Sequence, residues 1–159
     1  MDEALFRQVM SHFASGVTVV TTRLGDTLRG LTVNAFCSLS LEPMLVLVCI
    51  DQVAQSRHLI SGSGIFAVNI LSWRQQFLAD RFAGRALPVD DAFSDVPYNT
   101  AATGAPIVDG SLAWLDCRVV QSLPAGDHVI FVGEVEAAGL DESQEPLLYY
   151  QSRFSRLRG

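Results

Sequence analysis

The stretch 111–140 sets the fold class. Residues 111–123, SLAWLDCRVVQSL, and 128–140, HVIFVGEVEAAGL, both read as strands, and Pro124-Ala125-Gly126-Asp127 between them is a hairpin signal. Two strands joined this tightly run antiparallel. The other runs agree with an antiparallel chain. Residues 17–22 (VTVVTT) begin a strand, 24–27 (LGDT) a turn, and 44–50 (MLVLVCI) is an apolar run short enough for a central strand. Residues 65–71 (IFAVNIL) alternate Phe66, Val68 and Ile70 against Ala67 and Asn69, and 146–157 (PLLYYQSRFSRL) reads as one final strand. Helical signals fall between strands: 2–14 with Leu5, Phe6, Val9, Met10 and Phe13 on one face, 54–64 closed by glycines, and 72–84 with Ser72 as N-cap and Gly84 as stop. The tally, about six to seven strands with two or three inserted helices, implies a mainly β antiparallel barrel rather than alternating βαβ units. Residues 85–110, rich in Asp, Pro, Ala and Thr, read as a long excursion, and residues 1–159 as one domain.

One strand is unusual. In GLTVNAFCSLSLEP (30–43), Leu31, Val33 and Ala35 alternate with Thr32, Asn34 and Phe36, then Cys37-Ser38-Leu39-Ser40 follows and Glu42-Pro43 ends the run. A solvent-facing strand usually recruits Lys, Glu or Arg. Uncharged hydrogen-bonding groups beside apolar ones point to a surface for a neutral polar ligand.

Composition narrows the function. Net charge is −6 and all 11 basic residues are Arg, so nucleic acid and anionic membrane are poor partners. Without lysine there is no Schiff-base chemistry and no P-loop. The longest strong apolar run, Met44 to Ile50, is too short to span a membrane, and the acidic N-terminus is not a secretory signal, so a cytoplasmic location is expected. Hydrophobic residues make up 49% of the chain, which suggests apolar surface buried in an oligomer interface. Cys37, Cys49 and Cys117 show no CxxC spacing, and His12, His58 and His128 have no His or Cys at i+3 or i+4, so no metal site is expected.

The chemistry-bearing residues each admit a plain structural reading. Gly62-Ser63-Gly64-Ile65-Phe66-Ala67 has the letters of a dinucleotide fingerprint, but its glycines precede a strand, so they end a helix instead. Ser56 and Arg57 near a helix start either cap it or receive a phosphate. His128, opening a strand after Gly126-Asp127, is either a solvated turn residue or a group at a barrel rim. Trp114, Tyr149, Tyr150 and Phe154 read as core or interface aromatics, and Arg153 and Arg156 as anion contacts or a solvated strand face.

Taken in order, FASGVTVVTT (13–22), GLTVNAFCSLSLEPMLVLVCI (30–50), SGSGIFAVNIL (61–71), FAGR (82–85), LAWLDCRV (112–119), GDHVIFVGEV (126–135) and PLLYYQSRF (146–154) resemble the flavin reductase-like family, the reductase components of two-component flavin monooxygenases. The resemblance implies a six-stranded antiparallel Greek-key split barrel that binds flavin and works as a homodimer. It implies FMN or FAD as flavin, NADH or NADPH as hydride donor, and a flavin-dependent monooxygenase as recipient of reduced flavin. Thr32, Val33, Asn34 and Ala35 would lie along the isoalloxazine, and Ser38, Leu39 and Ser40 along the ribityl chain and phosphate. Asp51 belongs to the same cofactor-binding set, Ala54, Gln55, Ser56 and Arg57 would hold the phosphate, and Phe82 and Arg85 would close around the flavin. His128, in Gly-Asp-His, would serve the nicotinamide, with Tyr149 and Arg153 near the same pocket; Gln151-Ser152 stands where the family commonly has Arg-Gly. Two other readings remain: a reductase with bound FMN that passes electrons to a corrinoid, metal complex or organic substrate, and a flavin-binding module without turnover.

Overall fold

The computed structural model describes residues 1–84 and 91–157; Arg85, one of the expected flavin contacts, lies outside the described residues. In chain order the elements are α1 (Glu3–Ser11), β1 (Ser15–Gly16), β2 (Thr18–Leu24), β3 (Thr27–Val33), β4 (Phe36–Leu41), β5 (Met44–Asp51), α2 (Gln55–Ser63) and β6 (Ile65–Ile70). A 3-10 turn (Trp73–Gln75) then leads into α3 (Gln76–Phe82), followed by β7 (Tyr98–Asn99), β8 (Ile107–Val108), β9 (Ala113–Ala125), β10 (His128–Leu140), β11 (Leu147–Tyr150) and β12 (Arg153–Arg156).

Seven strands form one antiparallel sheet in the order β3-β2-β6-β9-β10-β5-β4. Its two edges, β3 and β4, are joined in sequence by only Asn34 and Ala35. Two residues reach less than about 12 Å, so the sheet has to curl until its edges meet, and the result is a barrel with a seam. Around that barrel β2, β3, β4 and β5 follow in order and β6 returns beside β2, which is a Greek-key path. The expected single strand over 30–43 is thus two strands, and the sheet has seven members rather than six.

The barrel interior is one apolar cluster in which Val48, Ile50, Ile60, Phe66 and Val68 are fully buried. Burying each such side chain contributes about 1.5–3 kcal/mol. Phe66 fixes its neighbour's identity: a Cβ on Gly133 would lie 2.5 Å from the Phe66 ring. Ile60, from α2, enters the same cluster and closes one end of the barrel. A second cluster, including Val17, Val19, Leu78, Phe82 and Phe93, packs α3 and the excursion on the outer face of β2. Polar residues inside the strands pin that excursion. Buried Asp116 accepts from the N–H (2.8 Å) and hydroxyl of Thr103, Thr21 donates to the Pro106 carbonyl at 2.5 Å, and Asn69 accepts from Val108 N at 2.8 Å.

Two expected elements differ. The final strand is a hairpin, β11–β12, turning at Gln151 and Ser152, whose φ values are 47° and 61°. A two-residue turn of this type favours Gly or Asn, and neither residue stands there, so the turn leaves no mark in the sequence. The N-terminal helix forms, but none of its residues is buried: Leu5, Phe6, Val9 and Met10 are between 51% and 60% exposed, and Phe13, just beyond its end, is 76% exposed. Its C-terminus is tied to the second hairpin, where Gln151 N donates to Ser11 O at 2.8 Å. No described helix is long and apolar enough to cross a membrane.

Candidate active site

The seam gathers most of the singled-out residues. Val33 faces the core while its carbonyl accepts from Thr18 Oγ1 at 2.6 Å. Asn34 and Ala35 form the exposed crossing; Asn34 Nδ2 donates to Ser15 Oγ at 3.2 Å, and the Ala35 carbonyl accepts from Cys49 N at 3.0 Å. On β4 a bulge at Leu39 pairs Ser38 with Val46 but Ser40 with Leu45. Adjacent partners on β5 face opposite ways, so the two serines leave from opposite faces and do not line one surface.

Thr32 and Phe82 are committed within the fold. Thr32 Oγ1 donates to the Ala79 carbonyl of α3 at 2.7 Å. Phe82 is buried, its ring 5.1 Å from that of Phe93, and lies over Gly30 so closely that a Cβ there would stand 2.8 Å from two ring carbons. Phe82 therefore fixes β3 against α3 through its ring and presents little free surface. Tyr149 packs on Phe154 at 5.4 Å in the same outer cluster, and its backbone pairs with Ser15 beside Asn34; Arg153 opens β12 and is exposed.

Across the seam, β5 ends at Asp51, whose carboxylate accepts from Val53 N at 3.0 Å and whose carbonyl accepts from Ala54 N at 3.1 Å. This tight turn opens α2. The N-cap residue is Ala54, which has no side-chain acceptor, and the first turn of α2 holds no acidic residue. Its leading N–H groups and the positive end of its dipole are thus left to an anion from outside the helix. Buried Ser56 stands in that turn, and the Arg57 Nε is buried with no hydrogen-bond partner in the structure. Arg29, from β3, adds a cation by donating from Nε to Gln55 Oε1 at 3.1 Å. An uncapped helix start, an orphaned guanidinium nitrogen and a second arginine fit a phosphate. Ala35 and Ser38 have small, exposed side chains.

His128 stands directly opposite Asp51 in the β5–β10 ladder, so it belongs to the same end of the barrel as α2. Its Nδ1 is 2.7 Å from Asp127 Oδ1, and this hydrogen bond, with the nearby imidazole charge, holds the Asp127 carboxyl below the usual carboxylate range. An ionised Asp127 only accepts, so Nδ1 carries the proton toward it and Nε2 is the nitrogen left for a ligand. Two clefts, of about 270 and 190 Å³, open elsewhere, against Ser72–Leu78 with Asp95–Pro97, and between Trp73, Arg74 and Arg156. Neither includes a seam residue. Among the described residues, no group of three or more His, Cys, Asp or Glu is placed to hold a metal ion.

Arg29 and Gln52 were not marked by the sequence. Arg29 reads as an ordinary exposed strand cation until β3 is folded beside α2, and Gln52 has no motif around it.

Residues 10–158 match the flavin reductase like domain. The chain belongs to the flavin reductase-like family. It is 41% identical over 157 residues to the reductase component of 4-hydroxyphenylacetate 3-monooxygenase from Thermus thermophilus, covering 99% of this chain and 97% of that one. It is 39% identical over 154 residues to an NADH-dependent flavin reductase from a Rhodococcus species, covering 95% and 84%. Among solved structures, the flavin reductase PheA2 in its native state superposes with a TM-score of 0.93 at 42% identity, with all of both chains covered. This family membership agrees with the barrel topology.

Proposed function

We propose that the chain oxidises NADH, reduces FMN or FAD, and releases the reduced flavin to a monooxygenase. The observation that carries this is the convergence, at one end of the barrel, of the Asn34–Ala35 seam, the uncapped start of α2 and the Asp127–His128 pair. The chemistry supplied by the bound pair is hydride transfer from nicotinamide C4 to flavin N5. The protein's part is placement. The N–H groups of Gln55 and Ser56, with Arg57 and Arg29, hold the phosphate. Backbone groups along Val33–Ala35 meet the ring edge, and Nε2 of His128 orients the carboxamide. Orientation of this kind lowers the barrier without a general acid. NADH as donor is supported by the Rhodococcus relative, named for its NADH dependence, and the oxygenase as recipient by the Thermus relative.

The reading includes a homodimer. The uncovered apolar face of α1 and the open seam both call for a covering surface, and a second copy would supply it. Sedimentation at micromolar concentration should show a dimer; a monomer would remove this element.

The test is NADH and NADPH oxidation with and without added FMN or FAD. Stimulation that saturates in free flavin, with NADH preferred, is the expected result. Tightly bound flavin with little stimulation would favour a reductase that retains its FMN and serves another acceptor. Binding of flavin without oxidation of either nucleotide would leave a non-enzymatic module.

A further inference from the structure

Gln52 sits between the last residue of β5 and the turn that opens α2, half-buried, and it reaches sideways to the β9–β10 hairpin. Its Nε2 donates to the Gly126 carbonyl at 2.9 Å and, at 3.4 Å, to that of His128. Its backbone N–H donates to the carbonyl of Asp127 at 2.9 Å. One residue therefore meets three consecutive carbonyls of the turn that presents His128. Gly126 has φ +59°, so the turn is a tight left-handed reversal, and an isolated hairpin tip of this kind frays without a tether. On its other side Gln52 is flanked by the Asp51 turn, whose side chain and carbonyl fix Val53 and Ala54 just before the phosphate-facing start of α2.

We propose that Gln52 is a positioning residue for nicotinamide binding: it straps the Gly126–His128 turn to the start of α2, so that His128 meets the nicotinamide at a fixed distance from the flavin phosphate. The inference rests on the nicotinamide role given to His128 above. The side-chain amide is what the strap requires. Methionine has similar length and no donor; lysine has similar reach and keeps donors for both carbonyls.

Four measurements on Gln52→Met and Gln52→Lys test it, with His128→Ala run beside them. In flavin-free protein, amide hydrogen exchange at His128, which pairs with Ala125 in the hairpin ladder, should quicken about tenfold in Gln52→Met, the effect of losing one hydrogen bond at a local opening. The KM for NADH should rise roughly five- to tenfold, with kcat, FMN affinity and melting temperature near wild type. Gln52→Lys should restore both exchange and KM. Unchanged exchange and KM in Gln52→Met would overturn the strap. So would a parallel loss of melting temperature, FMN affinity and kcat, or failure of Gln52→Lys to restore. If His128→Ala raises the KM and Gln52→Met does not, the strap alone is wrong. If His128→Ala leaves both the KM for NADH and the rate of flavin reduction unchanged, the nicotinamide role of His128 fails and takes the strap's function with it.

Discussion

A carboxylate placed at Gln55 should make the protein more stable and its FMN binding worse. Gln55 is the first residue of α2, is exposed, and begins a helix with no acidic residue in its first turn and no side-chain cap. An Asp there faces the positive end of the helix dipole, a gain of about 0.3–1 kcal/mol. For a chain of this size that corresponds to a melting temperature higher by about 1–3 °C. Arg29, now donating to Gln55 Oε1, would gain a charged acceptor. A flavin phosphate received by the same N–H groups would meet that carboxylate at roughly 5 Å. Two unit charges so placed repel by about 1 kcal/mol in a water-like surrounding and about 3 kcal/mol at the effective dielectric of a protein surface groove. FMN should therefore bind Gln55→Asp roughly 5- to 150-fold more weakly. Riboflavin, without the phosphate, should bind wild type and variant alike. Fluorescence titration of both flavins at low and high salt, with a thermal melt of each protein, reads all of this. The FMN penalty should shrink with salt and the riboflavin affinity should not. Equal losses for FMN and riboflavin, or unchanged FMN binding with a raised melting temperature, would show that the phosphate is held elsewhere.

His128→Ala should leave flavin affinity and melting temperature near wild type while weakening NADH binding or slowing flavin reduction about tenfold in stopped flow; unchanged reduction kinetics would exclude the role. Exposed Cys37 should react quickly with a thiol reagent in the folded protein. Cys117, fully buried and with its thiol pushed by burial up to about 12, should react only on unfolding, and early labelling of Cys117 would contradict the packing. Gly30→Ala should destabilise by about 1–3 kcal/mol, because its Cβ would stand 2.8 Å from the Phe82 ring; an unchanged melt would mean that Phe82 moves freely. The hydrogen bond from Arg81 holds the Asp95 carboxyl below its ordinary value, so the pair adds stability above the unfolded carboxylate value of about 3.9 and loses it as pH falls toward the lowered folded value. The melting-temperature gap between wild type and Asp95→Asn should hold constant at higher pH and close below about pH 4; a constant gap throughout would mean that the ion pair contributes nothing.

What the sequence disclosed and what it withheld divide along a physical line. Strand β6, the β9–β10 hairpin and the span of α2 were legible because period-two alternation, Pro-Ala-Gly-Asp and the Gly62-Ser63-Gly64 stop are local signals. The break at Asn34–Ala35 was not, since neither residue interrupts alternation and the break is imposed by closure of the sheet. The bulge at Leu39 is equally silent, although it sends Ser38 and Ser40 to opposite faces. Amphipathicity in α1 correctly announced an apolar face but not that the chain itself leaves this face uncovered. At the site, resemblance marked the α2 start and His128. It did not mark Arg29 or Gln52, whose partners Gln55 and Gly126 are distant in sequence and meet them only through strand register.

The uncharged character of residues 31–40 has a structural cause. β3 and β4 each pair on one side only, with β2 and β5, and the chain crosses between them at Asn34 and Ala35. Edge strands expose backbone donors and acceptors, and most proteins guard such edges with charged side chains. Here charge would defeat the proposed use. A flavin ring presents alternating donors and acceptors along one edge and bears its charge only at the far end, on the phosphate. A neutral seam can pair with the ring edge through its own backbone, while the positive potential is concentrated at α2, Arg57 and Arg29. Lys or Glu on β4 would either bind the ring nonproductively or repel the phosphate. On the proposed reading, the seam that closure of the barrel leaves unpaired and the helix that plugs its end divide recognition between them: the open edge reads the ring, the helix start reads the charge, and the turn at His128 brings the donor to both.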